Sequence, residues 1–176
     1  MTRKTIYLLI LLTTQLLPLT PVSAQKRQMA EAENYLRSGK NYDKAEQLMT
    51  KLLKDSANQQ NPRIYNLWLQ AVEKQYDDLN ERMYKHQSID TTQLFNLTRR
   101  IFTIAESLDS IDMQPDKKGR VDLSYRKDNS QRLLGYRPNL FFGGASHLRR
   151  AEFKTAYDYF ETYIDCARQP LFSDHD

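Results

Sequence analysis

The chain has 176 residues, 40% hydrophobic and 27% charged, with five glycines, six prolines and one cysteine. That balance excludes a collagen-like or intrinsically disordered chain, and the length suffices for one domain with a real core. The formal net charge is +4, but Arg3 and Lys4 belong to an N-terminal segment read below as a cleaved signal; without these two, 24 basic side chains face 22 acidic ones, which is no electrostatic footprint for nucleic acid.

Residues 1–24 carry a basic start, an almost unbroken apolar run from Ile6 to Leu17, and the small-residue ending Val22-Ser23-Ala24. The run is too short and wrongly flanked for a membrane span, so it reads as a cleaved secretory signal, with an uncleaved N-terminal anchor as the alternative. The mature chain then begins near Gln25. No cysteine follows the cleavage region, which argues against a lipid-anchored N-terminus. The single thiol, Cys166, offers no internal disulfide to an exported chain, and its place on an apolar helical stripe makes it a small core residue.

From Gln25 onward the periodicity is helical. Met29, Ala32, Tyr35 and Leu36 recur at helical spacing, Ser38-Gly39-Lys40-Asn41 interrupts them, and Tyr42, Ala45, Leu48, Met49, Leu52 and Leu53 resume. This predicts a hairpin over about 26–56. A second, longer hairpin over about 62–109 follows from the stripes Ile64-Leu67-Trp68-Ala71-Val72-Leu79 and Leu94-Leu97-Ile101-Ala105-Leu108, the latter introduced by the capping sequence Asp90-Thr91-Thr92. Residues 110–125 read as an irregular connection containing Pro115 and Gly119. A short helix over Lys127–Leu134, ended by Gly135, precedes a third hairpin over about 137–168, whose first helix starts at Pro138. No segment alternates at period two, so the expected fold is all-α.

The first and last hairpins share a spacing. Tyr42, Ala45, Met49 and Leu52 are separated by three, four and three residues, and so are Phe153, Ala156, Phe160 and Tyr163, with Gly144 and His147 nine and six residues ahead of Phe153. This pattern resembles the tetratricopeptide repeat, in which small residues sit where two helices cross. The crossing expected here places Gly144 against Ala156, with Phe153 and Phe160 at its sides. The whole mature chain is also similar to exported helical-repeat proteins of the Bacteroidetes, through Asp112-Met113-Gln114-Pro115-Asp116, Lys118-Gly119-Arg120, Tyr136-Arg137-Pro138-Asn139-Leu140 and the stretch from Tyr163 to Pro170. The resemblance implies antiparallel hairpins stacked as a right-handed α-solenoid longer than this chain, an envelope location and no known enzymatic activity. The sequence stops soon after the last hairpin without a polar capping helix, which predicts either the N-terminal part of a longer repeat protein or association through that end.

Catalytic and cofactor motifs do not emerge. Gly143-Gly144 lacks the preceding strand and the lysine of a phosphate loop, and Gly144-Ala145-Ser146-His147-Leu148 lacks the second glycine of a nucleophile elbow. His86, His147 and His175 share no metal-ligand spacing, and a calcium loop from Asp112 fails at Lys117 and Leu123. The expectation is therefore a non-catalytic scaffold, without cofactor or metal, that binds a protein or peptide on a concave face, with Tyr65, Asn66, Asn139 and Arg149 as contact residues. The alternative is an envelope enzyme or small-molecule binder with a pocket between hairpins, lined by Trp68, Tyr76 and Tyr136. Asp55-Ser56-Ala57, Asp90-Thr91-Thr92 and Asp109-Ser110-Ile111 resemble an O-glycosylation acceptor pattern at Ser56, Thr91 and Ser110, with ordinary cap and turn chemistry as the competing reading.

Overall fold

The computed structural model describes residues 21–175 apart from Lys117. The expected signal segment thus lies outside the described residues except for Pro21–Ala24, which form the first turn of a helix. Among the described residues six α-helices follow in order: α1 (Pro21–Ser38), α2 (Tyr42–Leu52), α3 (Pro62–Tyr84), α4 (Thr91–Asp112), α5 (Arg126–Arg149) and α6 (Phe153–Asp165). Short 3-10 turns cover Ser56–Asn58, Cys166–Arg168 and Pro170–His175. The described residues contain no strand, and no helix among them is long and apolar enough to cross a membrane.

Local chemistry sets most boundaries. Asn61 accepts a hydrogen bond from the Arg63 N–H ahead of Pro62, and Asp90 accepts from the Thr92 and Gln93 N–H groups, satisfying amides that have no intrahelical partner. Gly39 (φ +71°) and Asn41 (φ +59°) supply the left-handed backbone that turns α1 into α2. Asp55 accepts from the Ala57 N–H and so caps the next 3-10 turn. In two of the three Asp-Ser/Thr stretches, then, the aspartate performs cap chemistry; Ser56, Thr91 and Ser110 are all exposed, and Ser110 lies inside the last turn of α4.

Each helix packs on its successor, and α1 also touches α3. Two apolar clusters result. One joins α1, α2 and the first half of α3 through Met29, Ala32, Ala45, Met49, Leu52, Ile64 and Leu67. The other gathers Val72, Tyr76, Leu97, Ile101, Phe102, Leu133, Leu140, Tyr159 and Cys166 from α3 to the C-terminal turns. Trp68 packs against both. Beside it, the largely buried carboxylate of Glu46 accepts from Trp68 Nε1 (3.2 Å) and Gln75 Nε2 (2.8 Å) and pairs with Arg100, tying α2 to α3 and α4.

Three boundaries differ from the sequence reading. Helix α5 is continuous where two helices separated by a break at Gly135 were expected, so the last hairpin begins at Arg126 rather than near 137. Pro138 withholds a donor from the Leu134 carbonyl, but Leu134 is 42% exposed and water can serve that oxygen. Fully buried Leu133 and Leu140 flank the proline on one inward stripe, and tertiary burial overrides the local break signal. Helix α4 runs on to Asp112, shortening the irregular connection to 113–125. Helix α6 ends at Asp165 and tightens into 3-10 turns; there Arg137 donates to the Tyr163 carbonyl and sits 4.5 Å over the Tyr163 ring.

Candidate interaction surface

The hairpin of α5 and α6 is closed by packing against glycine. A Cβ at Gly143 would lie 2.7 Å from the Tyr159 ring and 3.1 Å from Phe95, and one at Gly144 would lie 2.7 Å from the Phe160 ring. Both glycines thus let an aromatic ring lie on the α5 backbone, and the nearest ring to Gly144 is Phe160 where Ala156 was expected. Tyr159, a residue the spacing argument passed over, is fully buried. Phe153, expected beside the crossing, is 67% exposed. The inward stripe of α6 runs through Ala156 and Tyr159 and continues to Cys166 in the 3-10 turn that follows, and Phe153 lies about 120° around the helix from Tyr159. Ala45 and Met49 are fully buried, whereas Tyr42, Phe160 and Tyr163 are half-buried.

Polar groups secure the turn. His147 is buried, stacks on Tyr159 with ring centroids 5.1 Å apart, and directs Nδ1 at the Glu152 carboxylate. Arg150 and His147 together hold that carboxyl below the usual range, through their hydrogen bonds to it. The turn itself is a Schellman motif: the Glu152 N–H donates to the His147 carbonyl and the Ala151 N–H to that of Leu148, each at 3.0 Å. Ala151 takes φ +59° there. Ala151→Gly is expected to raise stability by about 0.5–1 kcal/mol, read from chemical denaturation.

The outward side of the same hairpin is apolar. On α5, Leu134, Phe141 and Leu148 recur every seven residues and are 42%, 48% and 50% exposed. On α6, Phe153, Tyr157 and Ile164 form a parallel stripe, with Tyr157 and Ile164 62% and 52% exposed and Phe160 filling the gap between them. The Phe141 ring joins the two helices, with centroids 5.7 Å from Phe160 and 5.9 Å from Tyr163. In an antiparallel pair this register sets Leu148 near the first turn of α6, and Leu134 level with the 3-10 turn that follows it. A contiguous apolar surface on two adjacent helices is the mark of an interaction site. Its signal was present in the sequence as a heptad spacing, but whether the stripe faced inward or outward was not.

No family model, curated protein or solved structure matches the chain.

The residues proposed from helical phase are not gathered there. Tyr65 leans on Trp68 with centroids 6.2 Å apart, Asn66 is half-buried, and Arg149 is exposed at the end of α5. Asn139 donates to the Tyr76 hydroxyl at 2.6 Å and so serves the α3–α5 contact instead of presenting a free amide. Tyr76 and Tyr136 close edge to face at 4.8 Å, leaving no slot between them, while Trp68 turns toward Glu46. An open cleft of about 830 Å³ lies elsewhere, between the 113–125 connection and the start of α3. Its Asp116 is committed to the loop, accepting from the Lys118 and Arg120 N–H groups and from the Arg120 guanidinium.

Buried Cys166 and half-buried Glu106 both have displaced acidities. Burial pushes the Cys166 thiol up, keeping it a neutral packing residue with its Sγ on the Tyr163 carbonyl. Burial, and secondarily the Asp165 carboxylate, pushes Glu106 up to about 7. The folded chain then holds a proton that the unfolded chain releases near 4.5, so this group's contribution to stability falls as pH rises from 4.5 to about 7. Glu106→Gln is expected to raise the melting temperature at about pH 8 and leave it nearly unchanged near pH 4. Equal gains at both would place the effect in packing.

Proposed function

We propose that the chain is a non-catalytic, exported helical-repeat scaffold of the bacterial periplasm or envelope that binds a protein through the outward face of α5 and α6. The observation that carries this reading is the exposed stripe of Leu134, Phe141, Leu148, Phe153, Tyr157 and Ile164 on two adjacent helices. A surface of this kind accepts a helix or helical hairpin by apolar burial, with aromatic anchors at its centre.

The tetratricopeptide-like stacking belongs to the same proposal. Helix α1 touches α3, and α3 reaches α5 through Glu73 with Arg132 (3.2 Å), Tyr76 with Tyr136, and Asn139 with Tyr76. Alternate helices following one another in this way is the arrangement expected of stacked hairpins. The N-terminal apolar run supports export. The test compares two baits in native envelope extract, the wild-type chain and a Phe141→Ser/Tyr157→Ser variant with unchanged helical circular dichroism. A protein recovered at stoichiometric yield by the first and lost by the second is expected. Equal recovery by both would refute the docking face.

A further inference from the structure

We propose that the occupant of the α5–α6 face is a second copy of this chain, paired about a two-fold axis with its α6 antiparallel to the first. This rests on the reading of that face as a protein-docking surface and names the partner.

Three observations carry it. The first is one-sidedness: the large exposed apolar side chains on α5 and α6 have no counterpart on the described parts of α1 and α2. Head-to-tail stacking onto the first hairpin would set apolar against polar surface, whereas an isologous contact sets this face against itself. The second is that the described segment after α6 turns away from this face. Leu171 and Phe172 are buried in the core, Phe172 stacking on Phe102 with centroids 6.3 Å apart, so the C-terminal turns leave the outward stripe open.

The third is charge. Exposed Lys154 lies in the first turn of α6, and the exposed end carries Glu161, followed by half-buried Asp165. The midpoint between Lys154 and Glu161 falls between Tyr157 and Asp158. A two-fold axis there sets Lys154 of each copy opposite Glu161 of the other, twice, with the Tyr157 rings at the centre. Phe153 then falls about 3 Å along the axis from the level of Ile164 on the second copy. A parallel pairing would oppose lysine to lysine and carboxylate to carboxylate. Within one chain Lys154 already meets Asp158 at 3.3 Å, and Glu161 accepts from the Tyr157 hydroxyl at 3.0 Å. Apolar burial therefore supplies the affinity, and the charges choose the orientation.

The experiment is light scattering and sedimentation on the full chain, recovered as the cell leaves it after expression from its complete coding sequence. A mass twice that of the monomer is expected. Lys154→Glu and Glu161→Lys should each weaken dimerisation by roughly tenfold, since the symmetry counts every substitution twice. The double variant Lys154→Glu/Glu161→Lys should restore it. Both positions are exposed, and unchanged helical circular dichroism of each variant excludes a folding defect. A dimer that the double variant fails to restore overturns the antiparallel pairing. A monomer whose Tyr157 still recovers another envelope protein overturns the second copy and leaves the docking reading standing. A monomer that recovers none overturns both.

Discussion

Asp109→Ala should lower stability by about 3–5 kcal/mol, because it breaks a buried, doubly hydrogen-bonded ion pair. Both carboxylate oxygens of Asp109 accept from the Arg126 guanidinium at 2.8 Å, and the two side chains are 4% and 14% exposed. Removing the carboxylate strips Arg126 of its main charge partner in a site that water barely reaches. One turn further on, Asp112 accepts from the Tyr125 N–H at 3.2 Å, although burial pushes its own pKa up. These two aspartates clamp the last turn of α4 to the start of α5 across the 113–125 connection. Urea denaturation of the variant would show the loss directly. A companion variant, Asp109→Leu/Arg126→Met, should recover most of it, since replacing both partners by apolar groups removes the desolvation cost with the attraction. A loss below about 1 kcal/mol for Asp109→Ala would mean that the connection is held by other contacts.

Tyr159→Ala is the second large effect, at about 3–5 kcal/mol. The ring is fully buried against Gly143, stacks on His147, and lies 5.2 Å beneath the Arg99 guanidinium, while its hydroxyl donates to Asn96 at 2.8 Å. Burial pushes that hydroxyl up to about 12, so it remains a neutral donor across the working range of pH. Tyr159→Phe isolates the hydroxyl and should cost about 0.5–1.5 kcal/mol. Gly143→Ala tests the same contact from the other side: a Cβ 2.7 Å from ring carbon forces ring or backbone to move, at about 1–3 kcal/mol. In the Tyr159→Ala background that cost should nearly vanish, because the atom it strikes has gone. A cycle showing additive losses would place the strain at Phe95 instead.

The exposed apolar face of α5 and α6 and the pair at Asp109 show how far local pattern reaches. The all-helical class, the starts of α3 and α4, and the turn at Gly39 could be read in the sequence, because caps, proline at a first turn and left-handed residues act within one helical turn. The packing role of the paired glycines was legible as well, since no strand precedes them. Continuity of α5 through Pro138 was not, because the break signal is local while Leu133 and Leu140 are held by neighbours distant in sequence. Nor did the three-four-three spacing distinguish Tyr159 from Phe153. Both fit a helical period, and only the position of α4 and α5 decides which ring is inside. The union of Asp109 with Arg126 spans a connection that carries no periodic signal, so it exists only once α4 and α5 are packed. Tertiary structure likewise turns the stripes through Phe141 and Tyr157 outward, because the inward faces of their helices are already filled by Leu140, Gly143, Tyr159 and Cys166.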